Sequence, residues 1–72
     1  MYNFGDILKH RTGTSTNQSF IMLLDTSEYY RVTLFDNLFN SKVGDQSRGF
    51  DIEDYEISSL RELSDFVISN NI

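Results

Sequence analysis

Three consecutive basic residues near the N-terminus, Lys9, His10 and Arg11, are the side chains best suited to bind an anion. Lysine and arginine bind phosphates and carboxylates through charge-assisted hydrogen bonds, and Arg31 adds a second guanidinium. The polar segment 12–17 lacks the second glycine and the Lys-Ser/Thr ending of a phosphate-binding P-loop, so it predicts a flexible recognition loop instead. The four basic residues form a candidate anion site, and a charged, solvated strand edge is the alternative interpretation.

A second group of side chains that could bind a partner is acidic and lies in the segment 51–56. Closely spaced carboxylates steer a basic partner through their summed field, and the aromatic ring of a tyrosine adds contact area. The alternative is a solvated turn whose charges aid solubility and cap the helix that follows. The candidate partner surface comprises Asp51, Glu53, Asp54, Tyr55, Glu56 and Tyr29.

The other side chains indicate neither metal binding nor nucleophilic catalysis. The chain has no cysteine and one histidine, His10, so the usual zinc ligands are missing. A calcium loop beginning at Asp45 requires glycine at its sixth position, where Phe50 stands. No serine or threonine lies in a motif that activates a hydroxyl, and His10 has no nucleophile beside it. We therefore predict no catalytic residue, no metal and no cofactor.

Strands are the elements predicted to position these residues. The segments 7–11, 20–25, 29–36, 38–43 and 49–52 are the predicted strands. The apolar run that begins at Phe20 (FIMLL) is typical of a strand buried on both faces. Turn residues follow it at 25–28, so residues 20–35 are predicted to form an antiparallel hairpin. One face of its second strand is predicted to carry Tyr30, Val32 and Leu34, and the other Tyr29, Arg31, Thr33 and Phe35.

A C-terminal helix is predicted over about 60–69. Ser59 and Glu62 match the capping box, in which the serine side chain caps the first turn and the glutamate reaches back to the serine amide. Leu60, Leu63 and Val67 then follow at helical spacing. The sequence thus predicts one mainly β (α+β) domain over residues 1–72, with a small antiparallel sheet and one closing helix.

The opening Gly5-Asp6 dipeptide, with Ile7, Leu8 and Lys9 after it, resembles the first strand of small SH3-like barrels. The later order is similar as well: a loop, a hairpin at 20–35, a broken strand, an acidic turn near 51–55 and a last short strand. The helix from Ser59 departs from a minimal barrel, so the resemblance implies a partly open barrel, or alternatively an open sheet with a helix packed on it. Such domains bind peptides, proteins or nucleic acids and seldom catalyse reactions, which implies a binding role.

Charge narrows the class of partner. The net charge of −5 arises entirely from Asp45 onward, because acids and bases balance before it. Polyanion binding depends on lysine and arginine, so the sequence favours a protein partner over nucleic acid. No apolar run approaches the roughly 20 residues of a membrane span, and the N-terminus lacks the basic start of a signal peptide. We therefore expect a cytoplasmic protein that does not enter a membrane.

Composition suggests an origin and two functional hypotheses. Alanine and proline, whose codons are rich in G and C, are absent, which indicates an AT-rich genome such as many phages and mobile elements have. The first hypothesis is a phage-encoded protein that binds and inhibits or modulates a host protein in the host cytoplasm. The alternative is a protein that holds a small anionic ligand, such as a nucleotide signal, at a subunit interface. A chain of 72 residues without disulfides gains stability cheaply from self-association, so a homo-oligomer is expected.

Overall fold

The central hairpin is formed by the apolar run and the alternating segment that follows it. The computed structural model describes all residues, Met1–Ile72. In it, β2 (Ser19–Asp25) pairs antiparallel with β3 (Tyr30–Asp36), and Phe20 lies opposite Phe35. The predicted hairpin over residues 20–35 is therefore confirmed. Tyr29 adopts a positive φ of 50° in the turn, which is why β3 begins one residue later than expected.

Three further strands complete one antiparallel sheet. β1 (Ile7–His10) pairs with β2 on one side and with β5 (Tyr55–Ile57) on the other. β4 (Gln46–Ser47) pairs with β3, which gives the order β4-β3-β2-β1-β5. The two outer strands do not pair with each other, so the sheet is open. With one C-terminal helix, α1 (Leu60–Ser69), the fold is mainly β, as the sequence predicts.

Two β-bulges interrupt the central hairpin and change which residues share a face. Phe20 lies opposite Phe35 but Ile21 lies opposite Thr33, so Leu34 is an extra residue in β3. Leu24 is the corresponding extra residue in β2. Bulges bend a strand and increase its twist. The prediction that Phe35 shares a face with Arg31 and Thr33 is wrong, because the bulge turns Phe35 to the opposite face.

The strand predicted over 38–43 does not form. The carboxylate of Asp36 accepts hydrogen bonds from the amides of Leu38 and Phe39 at 2.9 and 2.8 Å, and from the amide of Ser41 at 3.3 Å. An aspartate that captures nearby amides offers the backbone an alternative to a strand ladder. Asn40 adopts a positive φ of 63°, and backbone hydrogen bonds to β3 begin only at Gly44, whose amide donates to the Thr33 carbonyl at 2.8 Å.

The last predicted strand, 49–52, is wrong in a similar way. Asp51 caps a single 3-10 turn, Ile52–Asp54, by accepting a hydrogen bond from the amide of Glu53. The strand β5 begins after this turn, at Tyr55. Because an aspartate at the start of a turn satisfies its free amides, the acidic segment folds as a turn and postpones the strand by several residues.

The sheet buries side chains on both faces. One face, which we call the core face, packs Leu8, Ile21, Leu23 and Tyr55 together. The other face, the helix face, carries Phe20 and Phe35, whose rings both contact Phe66 of α1. Alternate residues of a strand point to opposite faces, which explains why the continuous run of β2 is apolar throughout. No buried side-chain oxygen or nitrogen lacks a hydrogen-bond partner.

The helix begins where the capping pattern predicts it, but its capping box is only half formed. The Ser59 hydroxyl accepts a hydrogen bond from the Glu62 amide at 3.0 Å. The Glu62 carboxylate does not return to the Ser59 amide, and instead accepts hydrogen bonds from the Ser58 hydroxyl and the Lys9 ammonium. A tertiary ion pair has replaced the local contact. At ten residues, α1 is too short to cross a membrane, and no other helix of sufficient length is present.

Candidate functional site

Five aromatic rings contact one another in sequence along the core face and its rim. The centroid of His10 lies 4.8 Å from that of Phe39 and 4.9 Å from that of Tyr55, both in edge-to-face geometry. Phe50 then lies 5.3 Å from Tyr55 and 6.1 Å from Tyr29. Aromatic pairs prefer such tilted contacts at these separations. We call this set the aromatic row: Phe39, His10, Tyr55, Phe50 and Tyr29.

The aromatic row is buried at its centre and exposed at its ends. Tyr55 is only 5% exposed and belongs to the core, whereas Phe39 is 54% exposed and Tyr29 is 36% exposed. The prediction that Tyr55 offers its ring to a partner is therefore wrong, because strand alternation directs this ring onto Leu8 and Ile21. Tyr29 is placed at the surface, as a residue of a partner surface must be.

The guanidinium of Arg31 stacks on rings of the aromatic row and is hydrogen-bonded there, so it is not available to an anion. Its guanidinium lies 4.6 Å from the ring centroid of Phe50 and 5.5 Å from that of Tyr55. Its Nη1 donates to the Tyr55 hydroxyl at 2.6 Å, and its Nε donates to the Ser47 hydroxyl at 2.9 Å. Arg31 thus links β3 to β5 across the core face. Stacking on aromatic rings and directed hydrogen bonds are both interactions that a guanidinium forms well.

The segment 51–56, which we call the acidic turn, directly follows Phe50 of the aromatic row in the chain and includes Tyr55. Asp51 is used as a cap, and Glu56 lies 3.5 Å from Arg11 Nη1. Arg11 also donates from Nε to the Glu53 carbonyl at 2.9 Å. The carboxylates of Glu53 and Asp54 are exposed and make no hydrogen bond or ion pair. The predicted alternative, a solvated turn, fits the exposed carboxylates of Glu53 and Asp54. Its expected cap on the closing helix does not form, because Asp51 caps the 3-10 turn and Ser59 caps α1.

The four residues of the candidate anion site do not converge. Lys9 pairs with Glu62 of α1, Arg11 pairs with Glu56, and Arg31 is held against Tyr55. His10 is enclosed by two rings, and its Nδ1 lies 2.7 Å from the Thr12 hydroxyl and accepts a hydrogen bond from the Thr12 amide at 3.2 Å. Because each cation already has a partner, the expected cluster of free positive charge is absent.

The polar loop 12–17 is held at several points. Asn37 Nδ2 donates to the Thr16 carbonyl at 2.9 Å, and Asn37 Oδ1 accepts from the Gln18 amide at 2.7 Å. Asn70, the C-cap residue of α1, donates from Nδ2 to the Ser15 carbonyl at 2.9 Å. These hydrogen bonds, from residues that directly follow β3 and α1, restrain the loop, whereas its composition predicts a flexible loop. Between this loop and α1 lies a cleft of about 260 Å³, lined by Lys9, Gly13, Thr14, Ser15, Gln18, Phe20, Glu62 and Phe66.

The two candidate sites predicted from the sequence include neither Phe39 nor Phe50, although both belong to the aromatic row. Both were placed inside predicted strands, where an aromatic side chain is usually buried. The signal in the sequence was the residue beside each ring, Asn40 after Phe39 and Gly49 before Phe50. Both of these neighbours adopt a positive φ in the structure. Asparagine and glycine favour turns, and an aromatic residue beside a turn tends to lie at the rim of a small fold.

No group of three or more histidine, cysteine, aspartate or glutamate side chains is arranged to hold a metal ion. Comparison with protein families, curated proteins and solved structures found no match to this chain.

Proposed function

We propose that the chain forms an SH3-like, partly open barrel that acts as a non-catalytic binding module. The strand order supports this proposal, since the first strand lies between the second and the last. The two bulges in the central hairpin favour a strongly curved sheet. The contact between Arg31 and Tyr55 spans β3 and β5, which are separated in the sheet by two strands.

The proposed ligand is another protein, bound at the exposed ends of the aromatic row and at the acidic turn. The observation that carries this proposal is the position of two unpaired, exposed carboxylates, Glu53 and Asp54, in the chain between two rings of the aromatic row. Protein interfaces are enriched in aromatic residues, and unpaired carboxylates favour a partner with a basic surface. The contact residues would be Tyr29, Phe39 and Phe50 with Glu53 and Asp54.

The pairing of the basic side chains argues for a protein over a polyanion. Of the six lysine and arginine residues, Lys42 and Arg61 alone make no hydrogen bond or ion pair through their side chains. Nucleic-acid affinity depends on the number of cations that neutralise phosphates, and two isolated cations contribute little. The partner that we propose is a host protein whose activity the chain inhibits or modulates, in keeping with the AT-rich composition of phage genes.

Affinity capture from a bacterial lysate, with matched charge variants, tests the proposed surface. The tagged chain is expected to retain a specific protein at low salt, and the double variant Glu53→Lys/Asp54→Lys is expected to lose it. The control Asp45→Lys/Asp65→Lys makes the same change in net charge at two other exposed, unpaired carboxylates and should retain the partner.

A second pair of variants tests the aromatic contribution. Tyr29→Ala and Phe39→Ala remove exposed rings and are each expected to weaken binding about tenfold or more, because aromatic anchors dominate interface energetics. Equal retention of the same protein by the wild-type chain and all of these variants would refute the proposed surface. Retention of no protein above background at low salt would refute the binding function itself.

The cleft beside α1 favours a second candidate function, the binding of a small anion. Lys9, Gly13, Thr14 and Ser15 line this cleft together, although Glu62 already neutralises Lys9. Thermal-shift measurements with nucleotides decide this alternative, since a ligand at a hundredfold its Kd adds about 2.7 kcal/mol of stability. Glu62→Gln should enlarge the shift because it frees Lys9. Absence of any shift in both proteins would exclude this function.

A further inference from the structure

The contact between α1 and the sheet is narrow. No residue of the helix is buried, and Leu60 and Ile68 are largely exposed to solvent. Ring contacts with the sheet converge on Phe66, whose centroid lies 5.5 Å from that of Phe20 and 5.8 Å from that of Phe35. Two other apolar residues of the helix are half-buried as well, so the apolar attachment of α1 depends on three partly exposed side chains.

Hydrogen bonds and one ion pair supply the polar part of the attachment of α1 to the rest of the fold. Glu62 accepts hydrogen bonds from Lys9 of β1 and from the Ser58 hydroxyl in the connection before the helix. Near the other end, Asn70 Nδ2 donates to the Ser15 carbonyl at 2.9 Å. We call the contact among Lys9, Ser58 and Glu62 the latch.

The strands have a core that does not include the helix. Leu8, Ile21, Leu23 and Tyr55 form the buried cluster, and the residues packed against it come from the N-terminal segment and from residues 50–52. Loss of α1 would leave these contacts unchanged. It would uncover Phe20 on the helix face, which is now only 1% exposed, together with Phe35.

A released α1 would not persist as a helix. Isolated helices shorter than about 12–15 residues are marginal in water, and α1 has ten residues. Release from the sheet and unfolding of the helix are therefore one event, and the exchange of helix amides with solvent reports it.

We propose that α1 is a releasable strap: it leaves the sheet as a unit while the five strands stay folded, and the latch sets how often it does so. This inference goes beyond the proposed binding function, because it assigns a conformational switch to the helix face. In the released state, Phe20 and Phe35 form an apolar surface that the closed state hides.

Native-state hydrogen exchange of the full chain tests the strap. At neutral pH, the amides of Phe66 and Val67 in α1 should exchange at least about tenfold faster than those of Ile21 and Leu23 in β2. Lys9→Met removes the ion pair of the latch without changing the helix, and should accelerate exchange in α1 by about two- to fivefold, the effect of a partly exposed ion pair. Exchange in β2 should be unchanged.

Matched variants separate the latch from general effects of charge. Lys42→Met removes a lysine that has no partner and should leave exchange in α1 unchanged. Glu62→Gln should accelerate exchange in α1 as Lys9→Met does. The double variant Lys9→Met/Glu62→Gln should exchange no faster than the faster of the two single variants. Exchange of α1 and β2 at one common rate, with one common dependence on denaturant, would overturn the strap. Equal acceleration by Lys9→Met and Lys42→Met would overturn the role of the latch.

Discussion

At the scale of single residues, side chains that look available in the sequence are already committed to partners inside the molecule. Arg31 and Tyr55 show this most clearly, since each was expected at a binding surface and they bind each other instead. Strand alternation places both on the core face, where a guanidinium is tolerated because rings and hydroxyls replace its water. Their contact stabilises the fold and leaves neither free for a ligand.

The hydroxyl of Tyr55 should therefore contribute to stability. We expect Tyr55→Phe to lower the free energy of unfolding by about 1 kcal/mol, because it removes a hydrogen bond to a charged group and leaves the stacked rings in place. Urea unfolding followed by circular dichroism measures this change. Tyr55→Ala should cost considerably more, since it also removes buried area from the core. An unchanged midpoint for Tyr55→Phe would show that the hydrogen bond contributes nothing.

Three carboxylates make the stability of the fold depend on acid pH. Hydrogen bonds from Lys9 and then Ser58 hold the pKa of Glu62 below its usual value of 4.5, despite partial burial. Burial raises the pKa of Asp36, but hydrogen bonds from Phe39, Ser41 and Leu38 outweigh it and bring the pKa below 3.8. Hydrogen bonds from the amide and then the hydroxyl of Ser27 lower the pKa of Asp25 as well.

A depressed folded-state pKa means that the unfolded chain binds protons more readily. The stabilisation is complete above the usual pKa values and is lost as the pH falls through the folded-state values. We expect the free energy of unfolding to begin falling near pH 4.5 and to continue falling below pH 3.8. Urea titrations at a series of pH values measure it. Glu62→Gln should reduce the slope at the upper end of this range, and an identical slope in both proteins would contradict the assignment.

At the scale of elements, short polar contacts decide where strands begin and end. Asp36 ends β3 because its carboxylate binds three amides that a continuing strand would need. Asp51 delays β5 by capping the 3-10 turn. Propensity favoured strands at 38–43 and 49–52 because aromatic and β-branched residues occur there. Local side-chain bonds outweighed that weak preference.

The loop between β1 and β2 depends on a close approach at Gly13. A Cβ atom at this position would lie 2.1 Å from the amide group of Gln18, which is buried and accepts a hydrogen bond from the Ser19 amide. We expect Gly13→Ala to lower the free energy of unfolding by about 1–3 kcal/mol, the range for overpacking a filled site. Thermal unfolding of the full chain measures the loss.

A double variant distinguishes this clash from a general intolerance of the loop. In a Gln18→Ala background the obstructing amide is gone, so the further change Gly13→Ala should cost much less than it does in the wild-type chain. Equal cost in both backgrounds would show that backbone conformation, and not the Gln18 side chain, requires glycine at position 13.

At the scale of the whole molecule, the sheet divides the fold into a well-packed side and a thinly covered side. The core face closes over a cluster that includes Leu8 and Leu23, both fully buried. The helix face is covered by a helix with no buried residue. Small domains bury a limited share of their surface, and in this fold the helix face is the side that is less well buried. The proposed conformational switch therefore lies on the helix face.

The exposed apolar residues at the C-terminus lead to a prediction about self-association. Ile68 is 72% exposed and Ile72 is 57% exposed, and burying both against a second copy would add stability to a small fold. We expect light scattering to give a mass above the 8.4 kDa of one chain, and Ile68→Asp/Ile72→Asp to lower it. A mass of one chain at every concentration tested would contradict this expectation.

The sequence alone determined the elements whose signals are local. The apolar run of β2, the alternation of β3 and the Ser59 cap of α1 each arise from neighbouring residues, so the hairpin and the helix were placed to within one residue. The mainly β class followed from these elements. The absence of the usual zinc ligands followed from the residue types.

Only the tertiary structure decided which charged and aromatic side chains remain free. Lys9 meets Glu62 across 53 positions of the chain, and Arg31 meets Tyr55 across 24. No local pattern encodes such pairs, because they depend on how strands stack and where the bulges at Leu24 and Leu34 bend them. The side chains available to a binding partner are those that stay exposed and unpaired after those pairs have formed. They can therefore be identified only from the tertiary structure of the sheet and the helix.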